Sequence, residues 1–115
     1  MNHQVKGRKF KRDHAQRKAL MKHLSESLIL QGRIQTTTAK AKELAPYVAK
    51  LVTRAKKQDL LASKIVHGML ADEPAKKLLG EIAKKFENQP GGYTRIIKVG
   101  TRNHDAAQMS IIEFI

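Results

Sequence analysis

The strongest helical period in this chain lies in residues 41–55, AKELAPYVAKLVTRA. Its apolar side chains recur at i, i+3, i+4 and i+7, the spacing of one buried face of an α-helix. Pro46 falls inside this pattern, and a proline at that depth removes one backbone hydrogen bond. We therefore predict a long helix with a kink near residues 42–45, and a helix broken there is the alternative. The polar side of this helix carries Lys50, Arg54 and Lys57.

The segments before this helix predict a strand and an earlier helix. Residues 33–37, RIQTT, favour a short strand because threonine and isoleucine fit a pleated surface. Threonine also caps helices, so we expect the cap of the long helix at Thr37 or Thr38. Asp13 is the expected cap of the earlier helix, and Gly32 is of the type found just past a helix end. The apolar stripe predicted for that helix is Leu20, Leu24 and Leu28, with Met21 beside it.

Two more helices are predicted downstream of the long helix. Asp59 can cap a helix over residues 60–70, and Asp72 can cap a helix that follows it. The first of these is expected to turn Leu61, Ile65 and Met69 inward. The second is expected to bury Ala75, Leu78, Leu79, Ile82 and Phe86.

The C-terminal part predicts two strands. Residues 88–92, NQPGG, break the helical pattern, and residues 93–99 and 108–115 are rich in Ile and Val. The element order is therefore helix, strand, three helices and two strands. We predict the α+β class: one compact domain over residues 13–115, whose three-stranded sheet is covered by helices. An extended basic arm over residues 1–12 precedes it. A chain of 115 residues has room for one modest core.

The net charge of +13 is concentrated in the first half of the chain. Residues 1–58 hold 15 Lys or Arg and 3 acids, whereas residues 59–115 hold 8 and 7. Such a charge favours a polyanion as partner. The arm is either a solvated basic tail or a segment that becomes ordered against phosphate, and we favour the second because an anionic surface relieves the repulsion among its cations. The predicted phosphate-binding residues of the arm and first helix are Lys6, Arg8, Lys9, Lys11, Arg12, His14, Arg17, Lys18 and Lys22.

Several other function classes lack their sequence signals. The chain has no Cys, its five His show no metal-ligand spacing, and it carries no phosphate-binding glycine loop. His104 and Asp105 are neighbours, but we interpret them as a polar loop rather than a catalytic pair. We expect no catalytic residue, no metal, no cofactor, no small-molecule substrate and no membrane span, and a cytosolic location. A DNA-binding protein remains the alternative, although the segment between the first two helices is long for a helix-turn-helix.

Three long stretches carry a resemblance that runs over nearly the whole chain: VKGRKFKRDHAQRKALMKHLSESLI (5–29), IQTTTAKAKELAPYVAKLVTRAKK (34–57) and GGYTRIIKVGTRNHDAAQMSIIEFI (91–115). They resemble the family of bacterial large-subunit ribosomal protein seventeen. The most specific blocks are TTTAKAKE (36–43) and GGYTR (91–95). Because these blocks match the family, Lys40, Lys42 and Arg95 are added as second-rank RNA-binding candidates.

The resemblance implies a structural protein of the large ribosomal subunit that binds 23S rRNA. It implies a place near the peptide exit tunnel, beside other large-subunit proteins, as a single copy in the ribosome. The expected partners are therefore 23S rRNA and neighbouring ribosomal proteins. A general polyanion-binding or DNA-binding protein is the alternative function.

Overall fold

Four helices and one three-stranded antiparallel sheet make up residues 14–115, the part of the chain that the computed structural model describes. The predicted α+β class and element order are confirmed. The arm over residues 1–12 and the cap at Asp13 lie outside the described residues. The elements are α1 His14–Gln31, β1 Arg33–Thr37, α2 Thr38–Ala55, α3 Leu60–Met69, α4 over residues 72–85, β2 Thr94–Thr101 and β3 Gln108–Phe114.

Helix α2 is the centre of the domain and runs without a break through Pro46, so the alternative of a broken helix is wrong. Its cap is Thr37, as predicted, whose hydroxyl accepts a hydrogen bond from the backbone N–H of Lys40 at 3.3 Å. Pro46 lies on the exposed side of the helix. The buried side carries Thr38, Ala41, Leu44, Val48, Leu51, Val52 and Ala55, nearly the stripe that the sequence predicts.

The sheet has the strand order β1-β3-β2, and both neighbouring pairs are antiparallel. Its inner face packs on α2, with Ile112 of β3 fully buried between Ile34 and Ile96 of the edge strands. Ser110, also buried, shares a hydrogen bond of 2.7 Å with Thr38 at the start of α2. This contact joins the sheet to the helix in the interior.

The outer face of the sheet is open. Ile97 and Val99 of β2 are 41% and 46% exposed, although the sequence expectation was that helices cover the apolar faces. The helices in residues 14–85 pack on the other side of the sheet, so they cover only one of its two faces. An antiparallel sheet tolerates this arrangement, since one of its faces can meet water.

Helix α1 ends as predicted, but its buried stripe is turned by about one residue. Gly32 follows the helix with φ of 82°, a left-handed conformation that glycine adopts without a steric penalty. Leu20 and Leu24 are only half-buried. The buried residues are Met21, Ser25, Leu28 and Ile29. Ser25 is tolerated there because its hydroxyl donates to the backbone carbonyl of Lys22.

Helix α3 begins at the predicted cap, since Asp59 accepts a hydrogen bond from the Ala62 N–H at 2.7 Å. The predicted inward residues are wrong: Leu61 is 62% exposed, Met69 is 37% exposed and Ile65 is only half-buried. The buried residues of the helix are Ala62 and Val66. This helix is apolar around most of its circumference, so spacing alone permits two stripes, and the one with smaller side chains faces the core.

Helix α4 consists of Asp72–Lys77, a π-helical turn Leu78–Ile82 and a last turn Ala83–Lys85. Asp72 is not the cap, because the capping position is Ala71, which makes no side-chain cap. The Ala71 N–H instead donates to Oε2 of Glu26 on α1 at 2.7 Å. Of the residues predicted to be buried, Leu79 is half-buried and the others are buried.

Helices α1 and α4 make a second contact at the end of α1. Lys77 Nζ donates to the backbone carbonyl of Leu30 at 3.0 Å. A side chain of each helix therefore serves an unsatisfied backbone group at the end of the other.

Candidate nucleic-acid interface

The first candidate surface is the basic strip that the sequence predicts on α1. His14, Lys18 and Lys22 are all exposed and lie about one turn apart. Within residues 14–115, no carboxylate forms a salt bridge with Lys18 or Lys22. These two ammonium groups are therefore available to an anionic partner.

Lys18 and Lys22 line a groove of about 530 Å³ where α1 meets α2 and α3. Its wall includes Tyr47 of α2 and Met69 of α3. Burial, together with the nearby charge of Glu26, raises the pKa of Tyr47. The phenol therefore stays neutral beside the lysines at neutral pH, so it can donate a hydrogen bond to an anion.

Arg17 is on α1 but does not belong to the exposed strip. It is half-buried, and its Nη2 lies 3.8 Å from Oε1 of Glu43 on α2. The structure therefore places Arg17 as a link between two helices. Lys40 and Lys42 lie in the first turns of α2, where Lys40 is half-buried and Lys42 is exposed.

Arg95 lies apart from the α1 strip, on the outer face of β2. Its Nη2 is 3.3 Å from Oε2 of Glu113 on β3. Arg33 of β1 approaches the other oxygen of the same carboxylate at 4.0 Å. The three side chains form one row across the sheet, because Glu113 is opposite Arg33 on one side and opposite Arg95 on the other. Arg95 is thus part of a structural ion pair.

Five of the predicted site residues lie outside the described residues. They are Lys6, Arg8, Lys9, Lys11 and Arg12. Their role stays a prediction.

The structure also points to three cations that the sequence analysis did not select for binding. Lys50 and Arg54 of α2, and Lys57 in the turn after this helix, are exposed and line a second groove, of about 350 Å³. Their spacing of four and three residues was visible in the sequence. That spacing is equally typical of an ordinary solvated face, and the groove depends on a distant turn.

This distant turn is the GGYTR block. Gly91 and Gly92 both have positive φ, 117° and 63°. They bring Tyr93 into the core, where its hydroxyl lies 3.0 Å from Thr53 Oγ1 and accepts a hydrogen bond from Lys56 Nζ at 3.0 Å. The hydrogen bond with Thr53, aided by Lys56, lowers the pKa of Tyr93. The block therefore fastens the turn to α2.

The neighbouring residues His104 and Asp105 do not form a catalytic arrangement. Asp105 accepts two hydrogen bonds from Arg102, at 2.9 and 2.7 Å, whereas His104 lies 3.9 Å away. The Asp105 carboxylate thus stabilises the turn that joins it to Arg102. Across residues 14–115, no three His, Asp or Glu side chains are grouped so that they could hold a metal ion. The same part of the chain contains no helix that is long and apolar enough to span a membrane.

Comparison with known proteins gives consistent matches over the whole chain. The family model described as ribosomal protein L17 matches residues 20–115. Proteins named "Large ribosomal subunit protein bL17" are similar to this chain. The one from Zymomonas mobilis subsp. mobilis is 47% identical over all of this chain and 83% of its own length. Those from Campylobacter hominis and Nautilia profundicola are 48% and 49% identical, over all of this chain and 98% of their own lengths.

The family model extends from within α1 to the end of β3, so it includes the free lysine Lys22, the α2 groove and the GGYTR turn. The relatives are aligned over the arm as well. The resemblance noted from the sequence is thereby confirmed, and the chain belongs to the ribosomal protein L17 family.

Proposed function

We propose that this chain is a non-catalytic structural component of the large ribosomal subunit that binds 23S rRNA by neutralising backbone phosphates. Membership of a ribosomal protein family supports this role. The resemblance also supports a place near the peptide exit tunnel, contact with neighbouring ribosomal proteins, one copy per ribosome and a cytoplasmic location. Helices α3 and α4 hold the fold and carry too little excess charge to be the main RNA ligands.

One observation carries the proposal. Lys18 and Lys22 are exposed, lack a carboxylate partner among residues 14–115 and line a groove on the helix that directly follows the basic arm. Free cations placed in this way neutralise phosphates and release the counterions condensed on RNA. The arginines of the arm add groups that can donate to two phosphate oxygens at once.

The experiment removes the cations in two steps and measures binding to 23S rRNA fragments over a salt series. Deleting residues 1–12 takes away five cations, so the slope of log affinity against log salt becomes shallower by roughly 4. The variant Lys18→Ala/Lys22→Ala makes the slope shallower by roughly 1.5. We expect circular dichroism of both variants to stay close to that of the full chain, because both keep the helices and strands of residues 14–115.

The matched control is Lys64→Ala/Lys84→Ala, which removes the same charge from exposed sites on α3 and α4. If the arm deletion and the α1 variant bind as well as this control at moderate salt, the proposal is wrong. Competition at fixed ionic strength between structured rRNA fragments and duplex DNA tests the alternative. Equal binding of both would identify a general polyanion-binding protein.

A further inference from the structure

The outward side of α2 and the turn that follows it carry three exposed cations. Lys50 and Arg54 are exposed about one turn apart, roughly 6 Å along the helix, and the exposed Lys57 follows in the turn just after α2 ends at Ala55. Within residues 14–115, no carboxylate forms a salt bridge with any of them. The single acid of α2, Glu43, is paired with Arg17. We call these three residues the α2 basic face.

Within residues 14–115, the side chains of the α2 basic face form no hydrogen bond or salt bridge that holds the fold. Their neighbour Lys56 shows what a structural lysine looks like on the same helix: its Nζ donates to the Gln89 carbonyl and lies 5.0 Å from the centre of the Tyr93 ring. Lys50, Arg54 and Lys57 make no comparable contact with the described part of the chain. Clustered like charges repel each other, and an anionic ligand removes that repulsion.

A fixed groove runs beside the α2 basic face, with Ala49 and Thr53 on α2 and with Gly91 and Tyr93 across from it. The opposite wall is held in place, because Gln89 Nε2 donates to the carbonyls of Gly91 and Gly92 at 2.9 and 2.7 Å. Since Lys56 holds Gln89 in turn, the wall is tied to α2 itself. The groove is therefore formed before any ligand arrives.

The groove at the α1 strip and the groove of the α2 basic face are separate. The groove at Lys18 and Lys22 lies against α1 and α3, whereas the groove of the α2 basic face lies against the Gly91 turn, and no residue lines both. An RNA backbone segment bound along the α1 strip therefore does not also fill the α2 groove.

We propose that the α2 basic face binds a second segment of RNA backbone, so that the domain bridges two segments of rRNA. The proposal rests on the proposed function, since it takes the polyanion to be rRNA. The three cations, two on α2 and one in the turn after it, suit the regularly spaced phosphates of a nucleic acid strand. Their positive charge favours an anionic partner over a protein surface with few acidic residues. Recognition here is of the backbone, because no exposed aromatic side chain lines this groove for base stacking.

The test uses the full-length variant Lys50→Ala/Arg54→Ala/Lys57→Ala, with Lys64→Ala/Lys84→Ala/Lys98→Ala as control. The control removes the same charge from exposed sites on three different elements. We expect the α2 variant to bind 23S rRNA roughly tenfold to hundredfold more weakly at fixed moderate salt. Its salt slope should be shallower by roughly 2 to 3, and the control should stay near the wild type. Inorganic phosphate and mononucleotides should not compete at concentrations equal to that of the rRNA phosphates.

Hydroxyl-radical footprinting of 23S rRNA then tests the bridge. We expect one set of protected nucleotides to disappear only in the α2 variant, and a different set only in Lys18→Ala/Lys22→Ala. Loss of the same set in both variants would overturn the bridge.

Two outcomes separate this inference from the proposed function. If the α2 variant matches its control while the arm deletion and the α1 variant lose binding, the inference is wrong and the proposed function stands. If the α2 variant keeps its RNA affinity but fails to enter the large subunit, the face binds a protein and the inference is again wrong. If every variant binds like its control, the proposed function itself is wrong.

Discussion

The α2 basic face and the outer face of the sheet are both basic in sequence, but only on the α2 basic face do the cations lack a carboxylate partner among residues 14–115. Lys50, Arg54 and Lys57 have no acid beside them in the described structure. On the sheet, Arg33 and Arg95 lie on either side of one carboxylate, that of Glu113. The difference teaches that a count of cations does not locate a phosphate-binding surface. What matters is which acid the fold brings next to each cation.

The largest expected effect comes from the core that both faces share. Leu78 is fully buried in α4. The substitution Leu78→Ala should lower the free energy of unfolding by about 2 to 5 kcal/mol. Urea unfolding measures this loss. At a temperature where the variant is fully folded, its rRNA affinity should equal that of the wild type.

If folded Leu78→Ala lost as much 23S rRNA affinity as the α2 variant, the contrast between the two faces would be wrong. It would mean that binding depends on the packing of the whole domain rather than on the free charges of one face.

The intermediate effect comes from freeing the sheet arginines. Glu113→Gln removes the carboxylate between Arg33 and Arg95 while it keeps the shape of the side chain. We expect rRNA affinity to rise by up to about fivefold, or roughly 1 kcal/mol, and the salt slope to steepen. The control is Glu73→Gln, an exposed acid on α4 that makes no salt bridge within residues 14–115. If both variants gained the same rRNA affinity, the gain would come from the change in net charge and not from the loss of the Glu113 ion pairs.

The smallest expected effect is the pH dependence of the turn that holds another ion pair, between Arg102 and Asp105. The hydrogen bonds from Arg102, and then that from the Ala107 N–H, lower the pKa of Asp105. A carboxyl whose pKa is lowered by folding stabilises the folded turn at pH values above its ordinary pKa of about 3.9. That contribution is lost as the pH falls below this value and through the lower pKa of the folded state.

Amide exchange at Ala107, corrected for its intrinsic pH dependence, measures the loss, and the protection of this amide should fall over that acidic range. In Asp105→Asn the protection of the Ala107 amide should not change over the same pH range, because the titrating group is gone. A titration of Asp105 at its ordinary pKa would contradict the expected role of Arg102.

The sequence predicted the elements that have one clear period or one clear cap. Helix α2, the cap at Thr37 and the end of α1 at Gly32 are each specified by residues within one or two turns. The inward side of α3 was predicted wrongly, because Leu61 and Ala62 begin two equally spaced stripes, and packing on the core chooses between them.

The candidate site divides in the same way. The strip of Lys18 and Lys22 follows from helical spacing alone, and the exposure of both residues is confirmed. The pairing of Arg95 with Glu113 joins residues 18 positions apart in sequence and depends on strand register, so local patterns do not reveal it. The α2 groove likewise depends on a turn that begins more than thirty residues after Arg54.

The reciprocal contacts of α1 and α4 have a consequence for the order in which the domain forms. Glu26 completes the start of α4, and Lys77 completes the end of α1, so each helix terminus is finished only when the other is present. In a growing polypeptide Gly32 already ends the first helix, since its N–H donates to the carbonyl of Leu28, but the carbonyl of Leu30 lacks its Lys77 donor until residue 77 has been synthesised. Each of these two helix ends thus gains a hydrogen bond that depends on the presence of the other helix.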